Sequence, residues 1–193
     1  MTAILKVDTI QDTSGNNIIN ENAGTITIGK SGDTVNLASG ATNNLGITEA
    51  DQWRLTATKT DNSDITANLE RNDTNFSVIG SGMSESSGIF TFPQTGIYLI
   101  TAQGRWLSNG SASLYMGVLL LMTTNNSSYV NISNVYESAS TNAYANSYAN
   151  AIVDITNTST HKVKFNAGAT NIEVRGSTSS ATTQKQFIRL GDT

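Results

Sequence analysis

The chain has 193 residues, a formal net charge of -4 and a pI near 4.8, with 37% hydrophobic and only 13% charged residues. With 11 Lys plus Arg there is no basic face to follow a phosphate backbone, which excludes nucleic acid as a partner. Cysteine is absent, which excludes disulfides and thiolate metal sites, and the length suits one domain plus a short appendage.

The opening residues, Met1-Thr2-Ala3-Ile4-Leu5-Lys6-Val7-Asp8, lack a basic region followed by an apolar stretch, so no signal peptide is expected. Residues 1–48 hold few large apolar groups. Short alternating pieces, Leu5-Lys6-Val7, Ile18-Ile19 and Ile26-Thr27-Ile28-Gly29, are separated by turn signals such as Ser14-Gly15-Asn16-Asn17. Residues 25–32 and 33–40 form a loose two-copy repeat of apolar-polar-apolar followed by small residues. One chain cannot bury such side chains, so this arm predicts short strands that wrap with partner copies; the composition also fits a flexible linker.

From Gln52 onward the strands lengthen. Period-two patterning and turn signals predict about ten antiparallel strands in residues 49–193: 52–58, 76–79, 88–92, 96–106, 113–122, 129–136, 148–155, 161–165, 172–175 and 187–190. No stretch carries apolar residues at helical spacing for three turns, and residues 143–150 read as loop leading into strand. Pro93 marks a turn between Phe92 and Gly96. The longest apolar run, residues 118–122, is far short of the ~20 residues that cross a bilayer, so no membrane insertion is expected. The fold class is all-β: a sandwich or barrel preceded by an extended β arm.

Residues 88–100, Gly-Ile-Phe-Thr-Phe-Pro-Gln-Thr-Gly-Ile-Tyr-Leu-Ile, resemble a signature of the complement globular head and of the wider tumour-necrosis-factor-like jelly-roll families. Residues 153–165 look like the paired strands of those families and residues 187–193 like their closing strand, so the resemblance spans about residues 50–193. It implies a C-terminal jelly roll and a threefold trimer with aromatic-rich sheet faces around the axis, for which Trp53, Tyr98 and Phe187 are the candidates. The opening residues 4–15, with Ile26-Thr27-Ile28-Gly29 and residues 187–193, resemble short fibre and virion structural proteins of tailed bacteriophages, in which a thin intertwined arm carries a jelly-roll head. That resemblance implies a place on the virion exterior, on tail or capsid, with residues 1–48 contacting other virion proteins.

Candidate chemistry is sparse. His161, the only histidine, sits in a hydroxyl-rich turn without a pairing motif, and Glu85, Glu137 and Glu173 are scattered, so no enzyme is expected. No cofactor is expected either, although Asp61, Asp64 and Asp73 lie in Asp/Asn clusters of the kind that offer oxygen ligands to calcium, or that simply make turns. Tyr136, Tyr144 and Tyr148, among Asn and Ser, read as binding-loop candidates for a host polysaccharide or protein, or as strand residues. Two functions fit: a homotrimeric short fibre for host attachment, or a capsid decoration protein that cements the particle without binding a receptor.

Overall fold

The computed structural model describes residues 9–15, 17–22, 25–29, 31–35, 46–73, 76–168 and 172–193. The chain divides into two compact units, Met1–Asn43 and Asn44–Thr193. The strand expected at residues 5–7 and the end of the second repeat copy, residues 36–40, lie outside the described residues.

The first unit holds a three-stranded antiparallel meander, β1 (Thr9–Gln11), β2 (Asn17–Asn22) and β3 (Thr25–Ile28). The turn after β1 is closed by Asp12, whose carbonyl accepts from Gly15 N and whose Oδ1 accepts from Ser14 N; Gly15 supplies a φ of 79°. Register places Ile10, Ile19 and Ile28 side by side in one row across the sheet. All three are exposed, as is Ile26 at 67%. Three short strands with an uncovered aliphatic row lack the burial that makes such a sheet stable alone.

The second unit contains eleven strands and, among the described residues, no helix. They are β4 (Ala50–Leu55), β5 (Leu69–Arg71), β6 (Ser84–Ser86), β7 (Ile89–Thr91), β8 (Gly96–Ser108), β9 (Ser113–Thr123), β10 (Val130–Ala139), β11 (Tyr144–Ile155), β12 (Lys162–Gly168), β13 (Ile172–Val174) and β14 (Gln184–Gly191). One sheet runs β10-β9-β12-β7-β6; the other runs β11-β8-β14-β4-β5, with β13 pairing the far end of β8. Every pairing is antiparallel, and the crossovers between the sheets make a jelly-roll sandwich. The all-β jelly-roll expectation therefore holds.

Strict alternation builds the core. β8 buries Tyr98, Ile100, Ala102 and Trp106 and turns Ile97, Leu99, Thr101 and Gln103 outward. β12 buries Val163, Phe165 and Ala167, and β14 buries Lys185 and Phe187. Phe90 of β7 is the hub, with ring centroids 5.5 Å from Trp53, 5.7 Å from Phe165 and 5.1 Å from Phe187. Phe92 and Tyr98 extend the cluster at 4.8 Å. The Tyr98 hydroxyl donates to Gln94 O, and burial, with the Glu49 carboxylate nearby, pushes its pKa up to about 12.

Several expected elements shift. Residues 76–79 form no strand: Ile79 makes a single bridge to Ala50, which secures the loop without extending it. Residues 144–147, expected as loop, are the start of β11, because every residue from Tyr144 to Ile155 pairs with β8. Ser87 and Gly88 form a two-residue hairpin turn between β6 and β7, with φ of 51° and 81°. A Cβ on Gly88 would lie 2.2 Å from Ile65 O, which is backbone and cannot yield. Gly88→Ala is expected to cost roughly 2–4 kcal/mol in urea unfolding. A loss under ~0.5 kcal/mol would show that the β6–β7 turn relaxes freely.

Candidate functional site

The outward rows of the six-stranded sheet form its most distinctive surface. β11, β8, β14 and β4 lie side by side in that order, so each level of the sheet sets four residues in line. One level reads Asn150, Thr101, Gln186, Gln52; the next reads Tyr148, Gln103, Gln184, Arg54; on the other side comes Ile152, Leu99, Ile188, Ala50. These residues face out because their neighbours in each strand, Ala149, Ala102, Lys185 and Phe187, fill the core.

The side-chain amides are wired together. Thr101 Oγ1 donates to Gln186 Oε1 at 3.0 Å, and Gln186 Nε2 donates to Gln52 Oε1 at 3.1 Å. Gln52 Nε2 then donates to Gln184 Oε1 at 2.7 Å, and Gln184 Nε2 to Gln103 Oε1 at 3.2 Å. Each amide has a second N–H and a second acceptor lone pair to offer beyond this chain of bonds. A shallow hollow of about 240 Å³ lies over Thr101, Gln103, Tyr148, Asn150, Gln184 and Gln186. Arg54 closes one end of its row in ion pairs with Glu70 at 2.9 Å and Asp73 at 2.7 Å. Tyr144 closes the other margin, its ring 4.5 Å from the Arg105 guanidinium. The middle of the face is uncharged, flat and held in fixed geometry, with isoleucines along one side.

A second polar assembly supports this sheet from within. Asp51, 3% exposed, accepts from Arg71 Nε and Nη2 at 3.0 Å, Trp53 Nε1 at 2.9 Å and Met83 N at 2.7 Å. Glu49 accepts from Ser81 N, Gly82 N and Gln94 Nε2. The two carboxylates thus clamp residues 81–83 onto β4.

The expected trimer-interface set is corrected by this geometry. Tyr98 and Phe187 are each 1% exposed inside the chain's own core, and Trp53 is half-buried between Asp51, Phe90 and the Arg71 guanidinium 4.9 Å from its ring. The inward and outward faces of these strands are both rich in large side chains, and residues 53, 98 and 187 sit on the inward one. Tyr144 and Tyr148 are exposed but stand on β11 rather than on a loop. Tyr136 stands on β10 of the opposite sheet. Asp61, Asp64 and Asp73 do not converge: Asp61 pairs with Lys59, Asp64 with Lys164 at 2.7 Å and Asp73 with Arg54. Burial opposes ionisation of Asp64, but hydrogen bonds from Asn166 and Lys164 hold its pKa below the ordinary carboxylate value. Among the described residues no three His, Cys, Asp or Glu side chains gather as a metal site.

The His161 ring nitrogens lie against the hydroxyls of Thr156 and Thr160, and Glu173 is engaged by Arg175 and Asn109. The glutamine ladder was not singled out in the sequence. The signal available was Gln184-Lys185-Gln186-Phe187, where alternate glutamines mark one face of a strand.

The jelly-roll sandwich of the second unit is similar in fold to solved structures of tumour-necrosis-factor-like proteins. The crystal structure of murine APRIL at pH 5.0 is similar with a TM-score of 0.57 and 15% identity, over 74% of this chain and 98% of that one. The Eiger TNF of S. frugiperda is similar with a TM-score of 0.58 and 10% identity, over 75% of this chain and 93% of that one. At such identities the likeness is one of fold. The sequence matches no family model and no curated protein.

Proposed function

We propose that this chain is a homotrimeric virion surface protein of a tailed phage, a short fibre whose jelly-roll heads attach the particle to its host. The observation that carries the self-association is the uncharged middle of the outer face of the six-stranded sheet, where a bonded row of glutamines is flanked by Ile152, Leu99, Ile188 and Tyr148. Neutral amides and aliphatic groups on a rigid flat sheet lose little on association, since no charge is desolvated and few side chains are newly immobilised. The exposed isoleucine row of the arm supports the same reading, because identical copies can cover it with matching rows. Placement on a phage and the attachment role rest on the resemblance of residues 4–15 and 26–29 to phage fibre proteins. Three equivalent heads would let weak individual sites add up through avidity.

Light scattering at low micromolar concentration is expected to give the mass of three chains. Ile152→Lys, at a residue 68% exposed and outside the core, is expected to return the mass of one chain with an unchanged far-ultraviolet circular dichroism spectrum. A monomeric wild-type chain would overturn the trimer. Attachment is tested separately with fluorescently labelled protein on susceptible bacteria. Staining of the cells supports the fibre; binding only to capsids, with a rise in their heat resistance, would replace it with a cementing role.

A further inference from the structure

The outer face of the other sheet carries a feature that self-association does not use. The register of β9 and β10 slips between Glu137 and Ala139, so Leu114 and Tyr115 fall in a bulge and both consecutive side chains point outward. Tyr115 is 65% exposed, and its ring stands edge-on to Tyr136 at 6.0 Å and 86°. Tyr136 sits opposite Gly117, which sits opposite Gly168 on the third strand. A Cβ on Gly117 would lie 2.9 Å from Tyr136 Cδ1, and one on Gly168 3.0 Å from its Cε1. The two glycines therefore make room for the Tyr136 ring to reach across three strands, while Tyr115 stands at right angles to it.

One level along the same face lie Asn134, Leu119 and Asn166, so two amides border the aromatic corner. The nearby ions are paired: Lys164 with Asp64, which also accepts from Asn166 Nδ2 at 2.9 Å. Lys164 Nζ also lies 4.4 Å from the ring of Tyr129.

We propose that the Tyr115–Tyr136 corner is a binding site for a neutral glycan, one pyranose ring stacking its C–H face on one tyrosine and abutting the other, with Asn134 and Asn166 meeting its hydroxyls. This rests on the attachment reading and names its ligand class. Flat C–H faces fit exposed aromatic rings, and hydroxyls need directional donors and acceptors without the desolvation of a charge. The net charge of -4 disfavours an acidic sugar.

The test is saturation-transfer NMR on the full chain with millimolar neutral trisaccharides of glucose, mannose, galactose and N-acetylglucosamine, set against trigalacturonic acid. At least one neutral sugar is expected to receive saturation at its ring C–H protons. Tyr115→Ser and Tyr136→Ser should each cut that signal at least five-fold, and Val78→Ser, at an exposed residue on neither proposed surface, should not. No signal from any neutral sugar, a preference for the acidic one, or a signal untouched by Tyr115→Ser would overturn the site. So would a fall in oligomer mass on Tyr115→Ser, which would make this face a contact between subunits. Cell staining by wild-type protein without any sugar signal would defeat this inference and leave attachment standing.

Discussion

Replacing Lys185 by Met is expected to raise the thermal midpoint by about 10 °C. Lys185 is 1% exposed on the central strand β14, its Nζ has no hydrogen-bond partner among the described residues, and the Phe165 ring centroid lies 5.5 Å away. Burial pushes its pKa down from the ordinary 10.5 to about 7, with only the Glu85 carboxylate pulling the other way. The sign follows from which state holds the proton. Between about pH 7 and 10.5 the unfolded chain binds a proton that the folded chain does not, so stability rises with pH across that window. Below about pH 7 both states are protonated and the penalty is constant, on the order of 4 kcal/mol. Lys185→Met removes the penalty and fills the same volume with apolar atoms. Urea unfolding at pH 7 and pH 9 checks both parts. Wild type should be more stable at pH 9, and the variant should have lost that difference. A variant less stable than wild type at pH 7 would show that the amine makes a strong interaction in the core.

Asp51→Ala is expected to lose ~3–5 kcal/mol, a large share of the stability of a domain this size. The substitution leaves the Trp53 indole N–H and the Met83 amide without their acceptor and takes the carboxylate from the Arg71 guanidinium, which keeps its bond to Met83 O. It also frees the loop that carries Gly82, whose absent Cβ lets Asp51 Oδ2 approach. The double variant Asp51→Ala/Arg71→Met should recover part of the loss, because the uncompensated cation is then gone. Denaturant midpoints of the four proteins give the coupling directly. Strict additivity would mean that the two residues stabilise the fold independently.

What could be read from the sequence followed the strength of alternation. β8 and β12 carry long apolar alternation, so their existence was plain, whereas β14 was read only as residues 187–190, and which face of each strand packs inside was not legible because both carry apolar groups. β11 was only half visible, because Tyr144 to Asn150 alternates Ala and Ser with Tyr and Asn, a contrast too weak to separate strand from loop. β5 and β6, three residues each, exist because long strands lie beside them, which no local pattern reports. The candidate site was less legible. Tyr98 and Phe187 carry the aromatic bulk expected at an interface, but alternation alone says that two faces differ and not which one a partner meets. The glutamines at residues 52, 103, 184 and 186 come from three strands distant in sequence and become a site only once β14 inserts between β8 and β4.

That insertion makes the whole sheet depend on residues 184–191. β14 follows every other strand of the head along the chain, yet it occupies the middle of its sheet. A nascent or clipped head without residues 184–191 lacks Phe187 in its core and half of the amide row on its surface, and β8 and β4 face each other with unmet hydrogen bonds. A chain without these residues is therefore expected to fall short of the folded head, because the gap lies in the middle of a sheet and not at its edge.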